Sequence, residues 1–289
     1  MVQLEGFTTF LVLLLYCTST LGAEAAYLRL AVPSGEKHPI GKASIYLSHQ
    51  CDWEPGADLH LQVAGPELGS ESEVLIQLRF GGISMMAARM ETLCDAVPSL
   101  KHVAGTLRQL EAKERKPYCL SHWPSLVAAL ETKGIHPLAV LEPEMRCLYT
   151  NGTTHIETMQ GTTIGVRSGS SFQERIQRWG AIPFSSDPND FSTLLSSHQI
   201  DAVEDGFLDL CLSPTWAFAR TLRVNDRESL PSLLVVSSRV WDSLDARQQA
   251  LLGEATRKAS LYGDTLIERA QADWLELARK EKQLVEGDW

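Results

Sequence analysis

The chain has 289 residues, of which 44% are hydrophobic and 21% are charged, and this balance excludes a disordered, collagen-like or coiled-coil chain. A chain of this length suits one large α/β domain or two lobes, and it buries enough surface to need neither a metal nor disulfide bonds. The net charge is −10 at pH 7, so the surface repels phosphate backbones and nucleic acid is not an expected partner.

The longest apolar segment of the sequence lies at its N-terminus. Residues 7–22 read FTTFLVLLLYCTSTLG, and AEAA follows them. This apolar segment is shorter than the ~20 residues that a membrane-spanning helix needs. It therefore predicts a secretory signal peptide at residues 1–23, cleaved near Ala23 or Ala26. Because residues 1–6 contain no Lys or Arg, an uncleaved anchor and a misplaced start codon remain alternatives.

Five cysteines follow this segment: Cys51, Cys94, Cys119, Cys147 and Cys211. They are odd in number, scattered, and free of any C-x-x-C pair, so neither a zinc site nor a disulfide framework is predicted. At most two disulfide bonds could form among them. Cys147 and Cys211 are expected to behave as small buried apolar residues.

The N-terminal half alternates between strand and helix patterns. In chain order the predicted elements are strand 27–32, a helix from residue 39, strand 58–63, helix 70–78, strand 83–88, helix 125–132 and strand 137–141. Pro39 suits the first turn of its helix because its φ is already helical. Ser70 and Glu73 form a capping box, in which each side chain satisfies the other residue's free backbone amide.

The C-terminal half continues the alternation and ends in a long helix. In chain order the predicted elements are strand 163–166, helix 172–179, strand 182–184, helix 189–197, strand 200–203, strand 233–236 and helix 245–281. The last helix carries an apolar stripe that includes Leu252, Ala255 and Leu266. It is far longer than the average of ~11–12 residues, so it could run across two lobes.

This alternation of strands and helices predicts an α/β fold with a mostly parallel sheet covered by helices. The sequence contains no repeat of fixed period, no Gly/Ser linker and no low-complexity tract. One discontinuous two-lobe architecture therefore explains the length better than two domains in series.

The familiar signatures of catalysis and cofactor binding are absent from the sequence. There is no G-x-G-x-x-G, and the segment from Gly35 to Gly41-Lys42 has the wrong spacing for a phosphate loop. The serine-rich residues 167–171 lack the G-x-S-x-G of hydrolases. The eight histidines never reach metal-ligand spacing. We therefore expect no enzyme activity, no cofactor and no metal; an enzyme of unknown type stays a third hypothesis, which turnover of a screened substrate would revive.

Several segments, in their order and spacing, resemble one family of transport receptors. They are HPIGKA at 38–43, ELGSE at 67–71, QLRFGGI at 77–83, MRC at 145–147, GTTIGV at 161–166, WGAIP at 179–183, IDAVE at 200–204 and the segment 234–244. Together they resemble the DctP-type solute-binding receptors of tripartite ATP-independent periplasmic (TRAP) transporters. The similarity runs from about residue 27 to residue 280.

This resemblance implies a type II-like periplasmic-binding fold with two α/β lobes, two hinge strands and a long helix that spans both lobes. It divides the chain into lobe 1, at 24–142 plus about 231–255, and lobe 2, at 143–230 plus about 256–289. A receptor of this family holds a small organic ligand, usually a carboxylate, in the cleft between the lobes. The resemblance implies a periplasmic location and delivery of the ligand to a TRAP membrane permease.

The residues that the family uses to clamp its ligand are altered in this chain. The clamp arginine falls on Gly165, and the nearest arginine is Arg167, which faces the same side of a regular strand. The asparagine that often helps to hold the ligand falls on Asp205. Arg146 matches the arginine of the family's G-x-R strand. The gain of an anion and the loss of a cation disfavour a carboxylate ligand unless Arg167 compensates.

Three further residues are candidates for the cleft. Glu204 matches a glutamate of the family, and we favour a structural role for it over a ligand contact. Trp216 and Trp179 could form apolar walls of the cleft, although core packing is the commoner role of a tryptophan.

Family members usually continue past the long helix into a strand and a closing helix. Because the sequence ends at Trp289, we expect a C-terminally shortened chain that lacks both elements, either a naturally shortened, divergent member or the product of a truncated reading frame. A sensory or regulatory protein of the periplasm, or a degenerate binding protein that keeps the fold without transport, remains the alternative function.

Overall fold

A computed structural model of the protein describes residues 25–54, 58–152, 159–167, 172–226 and 228–286. The α-helices are α1 (Pro39–Asp52), α2 (Glu71–Arg79), α3 (Met90–Ala96), α4 (Leu100–Leu107), α5 (Ala112–Ser121), α6 (Trp123–Glu131), α7 (Gln173–Arg178), α8 (Phe191–Ser196), α9 (Phe207–Leu212), α10 (Ser238–Ser243) and α11 (Ala246–Glu281). The strands are β1 (Ala26–Ala31), β2 (Leu59–Ala64), β3 (Met85–Arg89), β4 (Ile135–Leu141), β5 (Arg146–Thr150), β6 (Thr163–Arg167), β7 (Ile182–Ser186), β8 (Ala202–Gly206), β9 (Thr221–Asn225), β10 (Ser232–Ser237) and β11 (Gln283–Glu286). The predicted signal peptide at 1–23 lies outside the described residues.

The strands form two sheets, and each sheet is the centre of one lobe. The first lobe contains the order β2-β1-β3-β10-β4, and the second lobe contains the order β11-β9-β5-β8-β6-β7. This is the two-lobe α/β architecture that the sequence predicts. Strands of the first sheet fall within 24–142 and 231–255, and strands of the second fall within 143–230 and 256–289; the exact boundaries of the lobes stay a prediction.

Most described strands of each sheet are parallel, as the sequence predicts, and one strand in each sheet runs against the others. Strand β10 is antiparallel to β3 and β4, and β5 is antiparallel to β8 and β9. The physical reason is the path of the chain between the lobes. It passes from β4 of the first sheet into β5 of the second, and from β9 back into β10. A strand that enters from the other lobe runs against the strands that begin within the lobe.

The long helix α11 packs against both lobes, as predicted. On the side of the first lobe, Ser260 donates a hydrogen bond from Oγ to the Val140 carbonyl (2.6 Å). On the side of the second lobe, Gln271 accepts a hydrogen bond from the Met145 amide (2.6 Å), and Trp274 packs edge-on against Trp216. The helix therefore ties the two lobes together along its 36 residues.

The hydrophobic core continues from one lobe into the other. One buried cluster contains Leu30 and Leu234 of the first sheet together with Tyr149 and Leu222 of the second. A second cluster fills the other face of the first sheet, and a third fills the other face of the second sheet. The described cysteines are buried free thiols, as predicted for Cys147 and Cys211.

Strand β11 corrects the prediction that the strand after the long helix is missing. It follows α11 directly and pairs in parallel with β9, with Gln283 opposite Thr221. Lys282, just before it, donates a hydrogen bond to the Trp216 carbonyl (2.8 Å). The second sheet therefore has an edge strand that the motif comparison did not predict.

The residues that the structure describes include neither a membrane-spanning helix nor a metal site. Within them, no helix is both long enough and apolar enough to cross a membrane. The same part of the chain contains no group of three His, Cys, Asp or Glu side chains that could hold a metal ion.

Candidate functional site

A cleft of about 970 Å³ lies between the two lobes. The first lobe lines it with residues that follow β1, β2 and β3 in the chain, at 33–38, 63–73 and 89–92. The second lobe lines it with the ends of β5 and β6, with Phe172, and with residues around α9. In open α/β sheets the carboxyl ends of parallel strands are the usual place for a ligand.

Three guanidinium groups line this cleft. Arg89 ends β3 of the first lobe, Arg146 begins β5 of the second lobe, and Arg167 ends β6 of the second lobe. Because β5 runs against β6, the amino end of the one lies beside the carboxyl end of the other. All three side chains are largely buried. Each of them is held by carboxylates of the chain.

Arg146 and Glu204 form a buried bidentate ion pair. Arg146 donates from Nε to Oε1 of Glu204 (2.7 Å) and from Nη2 to Oε2 (2.8 Å). Burial lowers the pKa of Arg146, but the Glu204 carboxylate outweighs it and raises that pKa above its usual value. Burial raises the pKa of Glu204 to about 7, and Arg146 opposes that rise. Glu204 lies behind Arg146 and away from the cleft, which supports the structural role that we favoured.

Arg167 is clamped by two acidic residues. It donates from Nε to Oδ1 of Asp205 (2.6 Å) and from Nη2 to Oδ2 (2.9 Å), and its Nη2 lies 3.2 Å from Oδ2 of Asp209. The structure therefore brings together Arg167 and Asp205, two of the residues selected from the sequence. Arg167 lines the cleft, whereas Asp205 is buried behind it.

Asp209 connects the two lobes. Its Oδ2 accepts a short hydrogen bond from Nη2 of Arg89 in the first lobe, and the same oxygen faces Arg167 in the second lobe. Arg89 also lies beside Glu71, whose Oε1 accepts a hydrogen bond from the Arg89 amide (2.6 Å). Burial lowers the pKa of Arg89, but Asp209 and Glu71 outweigh it and raise that pKa. The Asp209 carboxylate thus lies between the guanidinium group of Arg89 in the first lobe and that of Arg167 in the second lobe.

His38 and Glu144 form a second polar connection beside the cleft. The Ile40 amide donates to Nδ1 of His38 (3.2 Å), which assigns the proton of the neutral ring to Nε2, 3.2 Å from Oε2 of Glu144. The other oxygen of Glu144 accepts a hydrogen bond from the Leu208 amide (2.6 Å). Burial raises the pKa of Glu144, but His38 and the neighbouring arginines outweigh it and hold that pKa below its usual value.

Gly165 faces the core rather than the cleft. A Cβ atom on this residue would come within 2.8 Å of Ile200 and 3.3 Å of Val203. It therefore lies on the same side of β6 as Arg167 but deeper in the lobe, where apolar side chains leave no space. This position does not support the ligand contact that the sequence suggested for Gly165.

The two tryptophans lie in apolar packing. Trp216 contacts Trp274 with ring centroids 5.1 Å apart, and Nζ of Lys282 lies over its ring, 4.6 Å from the centroid. Trp179 contacts Phe172 with centroids 5.6 Å apart. Neither tryptophan is part of the described cleft wall. Phe172 is the aromatic residue that lines it.

Sequence reasoning missed Arg89, Asp209, Glu71 and His38 as cleft residues. A signal existed for Arg89, because it directly follows the apolar strand SMMAA and ligands bind at strand ends. The other three carry no local signal. Glu71 and His38 are explained by their places at helix starts, and Asp209 lies in the first turn of α9, where an acidic residue is common.

Comparison with known proteins agrees with this architecture. The model of the bacterial extracellular solute-binding protein family 7, DctP, matches residues 34–286. A TRAP periplasmic solute-binding protein from Xanthobacter autotrophicus Py2, solved with bound β-D-galacturonate, is 20% identical, with a TM-score of 0.80 over 90% of this chain and 89% of that one.

Two further crystal structures of TRAP periplasmic solute-binding proteins are similar. The protein from Bradyrhizobium sp. BTAi1, in complex with α/β-D-galacturonate, is 24% identical with a TM-score of 0.73 over 90% of this chain and 89% of that one. The protein from Shewanella oneidensis, with bound succinate, is 18% identical with a TM-score of 0.74 over 91% of this chain and 88% of that one. Because the family model covers most of the sequence, including both lobes and the cleft between them, this chain belongs to the DctP family of bacterial extracellular solute-binding proteins.

Proposed function

We propose that the protein captures a small organic acid in the inter-lobe cleft and delivers it to a TRAP-type membrane permease. Residues 1–23 direct it to the periplasm, and the protein binds its ligand without transforming it. The lobes divide at 24–142 plus about 231–255 and at 143–230 plus about 256–289. The chain segments between β4 and β5 and between β9 and β10 act as the hinge when the lobes close around a ligand.

One observation carries this proposal: guanidinium groups from both lobes line the same cleft. Arg89 comes from the first lobe, and Arg146 and Arg167 come from the second. Arginine binds a carboxylate through two parallel N–H donors, so it is well suited to this ligand class. Contacts from both lobes to one ligand exist together only when the lobes approach each other. Such contacts couple ligand binding to closure of the lobes. Similar proteins of the same fold hold uronates or succinate, which supports an organic acid.

A thermal-shift screen of the protein without residues 1–23 tests the proposal. The panel contains uronates, dicarboxylates, hydroxy acids, amino acids and neutral sugars. A ligand at 100 times its dissociation constant stabilises the folded state by ~2.7 kcal/mol, which raises the melting temperature of a chain of this size by roughly 5–10 °C. A folded protein that no member of the panel stabilises would contradict capture of a small organic acid.

The variant Arg167→Ala tests whether Arg167 binds the carboxylate of a ligand that the thermal-shift screen finds. A lost charged hydrogen bond weakens binding by ~1.5–3 kcal/mol, measured by isothermal titration calorimetry. Arg257→Ala is the matched control, because Arg257 pairs with Glu254 on the exposed face of α11. Equal affinities of Arg167→Ala and the control would remove Arg167 from the ligand site.

One observation favours the alternative function, a sensory or degenerate binding protein. Each of the three cleft guanidinium groups already contacts a carboxylate of the chain. An acidic ligand must compete with those carboxylates. If the folded protein binds a ligand but fails to associate with TRAP permease subunits in reconstituted membranes, the sensory function replaces transport.

A further inference from the structure

The ion pairs of the cleft leave an excess of negative charge beside its arginines. Arg89 contacts Asp209 and Glu71, and Arg167 contacts Asp205 and Asp209. These contacts connect two guanidinium groups to three carboxylates. The connected group therefore has an excess of negative charge, although it contains the arginines that would receive a carboxylate ligand.

The rest of the cleft wall increases this excess. Among the described residues that line the cleft, seven are Asp or Glu and four are Lys or Arg. Glu91, in the first turn of α3, lines the cleft and takes part in no ion pair of the described chain. Its charge acts on Arg146 across the cleft and raises the pKa of that guanidinium.

A ligand whose only charged groups are carboxylates fits this wall poorly. It would meet guanidinium groups that are already neutralised, and it would lie close to Asp209 and Glu91. Like charges at short range in a partly buried site repel strongly, because the site screens them less than water does. Displacing Asp209 from its two arginines would leave a buried carboxylate without partners, which is unfavourable as well.

A positively charged group on the ligand removes this conflict. An ammonium group donates three hydrogen bonds and suits a cleft wall that includes the carboxylates of Asp209, Glu71 and Glu91. The bidentate contacts of Arg146 and Arg167 use Nε and Nη2. A guanidinium has five N–H donors, so the Nη1 groups can bind a carboxylate while both chain ion pairs stay intact.

We propose that the ligand is a zwitterion, a small organic acid that also carries a cationic nitrogen. Its carboxylate binds the second-lobe arginines, and its nitrogen binds the acidic surface of Asp209, Glu71 and Glu91. Asp209 is the specificity-determining residue, because it neutralises Arg89 and Arg167 together. This inference rests on the proposed function, since it names the class of acid that the same cleft captures.

Matched pairs of probes test the inference in the wild-type protein. The pairs are malate and aspartate, 2-hydroxyglutarate and glutamate, and lactate and alanine, in which a hydroxyl replaces the ammonium on the same carbon skeleton. Affinities are measured by calorimetry at pH 8, above the pKa of about 7 of Glu204, so that this carboxylate is ionised. The amino member is expected to bind at least tenfold more tightly than its hydroxy partner, as for a charged hydrogen bond.

Two variants test which side chains cause the preference. Asp209→Asn and Glu91→Gln each remove one negative charge from the cleft, and each is expected to reduce the preference to less than threefold. Asp242→Asn removes the same charge from an exposed position on α10 and should keep the wild-type preference. Glu91→Gln breaks no ion pair of the described chain, so it remains informative if Asp209→Asn does not fold.

The outcomes separate this inference from the proposed function. Equal or tighter binding of the hydroxy acids by the wild type overturns the inference and leaves capture of an organic acid standing. A preference for the amino acids that neither variant reduces also overturns it, because the acidic surface is then not the cause. A folded wild type that binds no probe and no member of the wider panel overturns both.

Discussion

Each side chain of the buried pair Arg146 and Glu204 depends on the other. Glu204 is 1% exposed and Arg146 is 11% exposed, and two hydrogen bonds join them. A buried ion pair contributes little compared with apolar residues of the same size, but removing one partner leaves a charge that water cannot reach. The main effect of this ion pair on the free energy of unfolding is therefore the destabilisation that follows when one partner is removed.

Arg146→Ala is expected to destabilise the protein by about 3–5 kcal/mol at pH 8, because Glu204 then either stays buried as an unpaired charge or must take up a proton. The loss should be smaller at pH 5.5, because burial raises the pKa of Glu204 and Arg146, which opposes that rise, is gone, so Glu204 is protonated and neutral. Urea unfolding at the two pH values measures the difference. Arg257→Ala, which breaks an exposed pair, should leave the free energy of unfolding unchanged. A loss that does not depend on pH would contradict this account.

Glu144 is expected to make the protein sensitive to acid. Burial raises its pKa, but His38, Arg89 and Arg146 outweigh burial and hold the pKa below its unfolded value. Its stabilising contribution is therefore present above the unfolded pKa and is lost as the pH falls through the folded pKa. Between pH 5 and pH 3 the free energy of unfolding should fall more steeply for wild type than for Glu144→Gln.

Urea unfolding at a series of pH values checks the slope for Glu144. Asp242→Asn, at an exposed position on α10, is the charge-matched control and should follow the wild-type curve. Parallel curves for wild type and Glu144→Gln would show that Glu144 has no part in the acid transition.

At the scale of elements, the long helix approaches the first lobe closely at one glycine. A Cβ atom on Gly263 of α11 would lie 2.9 Å from Cδ2 of Leu141 and 3.0 Å from Cβ of Ala43. Leu141 could rotate away, but Ala43 is fixed on α1. This glycine allows α11 and α1 to pack against each other without a side chain between them.

Gly263→Ala and Gly253→Ala form a matched pair on α11. Both gain ~0.8–1 kcal/mol of helix propensity, so their difference isolates the crowding at Gly263. A Cβ atom on Gly253 meets nothing within 4 Å, and that variant is expected to be more stable than wild type. Gly263→Ala should be about 1–3 kcal/mol less stable than Gly253→Ala, the usual cost of overpacking. Equal melting curves would contradict the close approach.

Helix α5 shows why some elements were not predicted. Its sequence AKERKPYCLS contains a proline and is mostly polar, which argues against a buried helix. Yet Arg115 is buried and donates to the carbonyls of Leu107 and Leu110, and Lys116 pairs with Asp264 of α11. These partners are distant in sequence or belong to a turn, so the local pattern contained no sign of them.

At the scale of the whole molecule, the two lobes share one core. Buried residues of both sheets belong to a single apolar cluster, and α11 contacts both lobes. Neither lobe can therefore lose its packing without exposing apolar surface of the other. This differs from two domains that are joined by a linker and packed separately.

The protein is expected to unfold in one cooperative thermal transition. Because the shared core ties the lobes together, the calorimetric and van't Hoff enthalpies should agree. Differential scanning calorimetry of the protein without residues 1–23 measures both. Two resolved transitions, or a calorimetric enthalpy well above the van't Hoff value, would show that the lobes unfold independently.

The sequence by itself determined the alternation of strands and helices, the two-lobe architecture, the long helix and the family, although it did not predict elements such as α4, α5 and β9. These follow from periodicity, from capping residues such as Ser70, and from motifs whose spacing is local. Of the cleft wall, it predicted only Arg146 and Arg167, which lie at strand ends within recognisable motifs, whereas Asp205 lies buried behind Arg167.

Only the tertiary structure decided which charges meet. Arg89, Arg167 and Asp209 lie far apart in the sequence, and they come together because the strand ends of two lobes face one cleft. In the tertiary structure, Gly165, Glu204 and Trp216 lie outside the cleft wall. Strand β11 also pairs with the second sheet. Electrostatic complementarity depends on distances in space, and those distances are set by the packing of sheets and helices rather than by spacing along the chain.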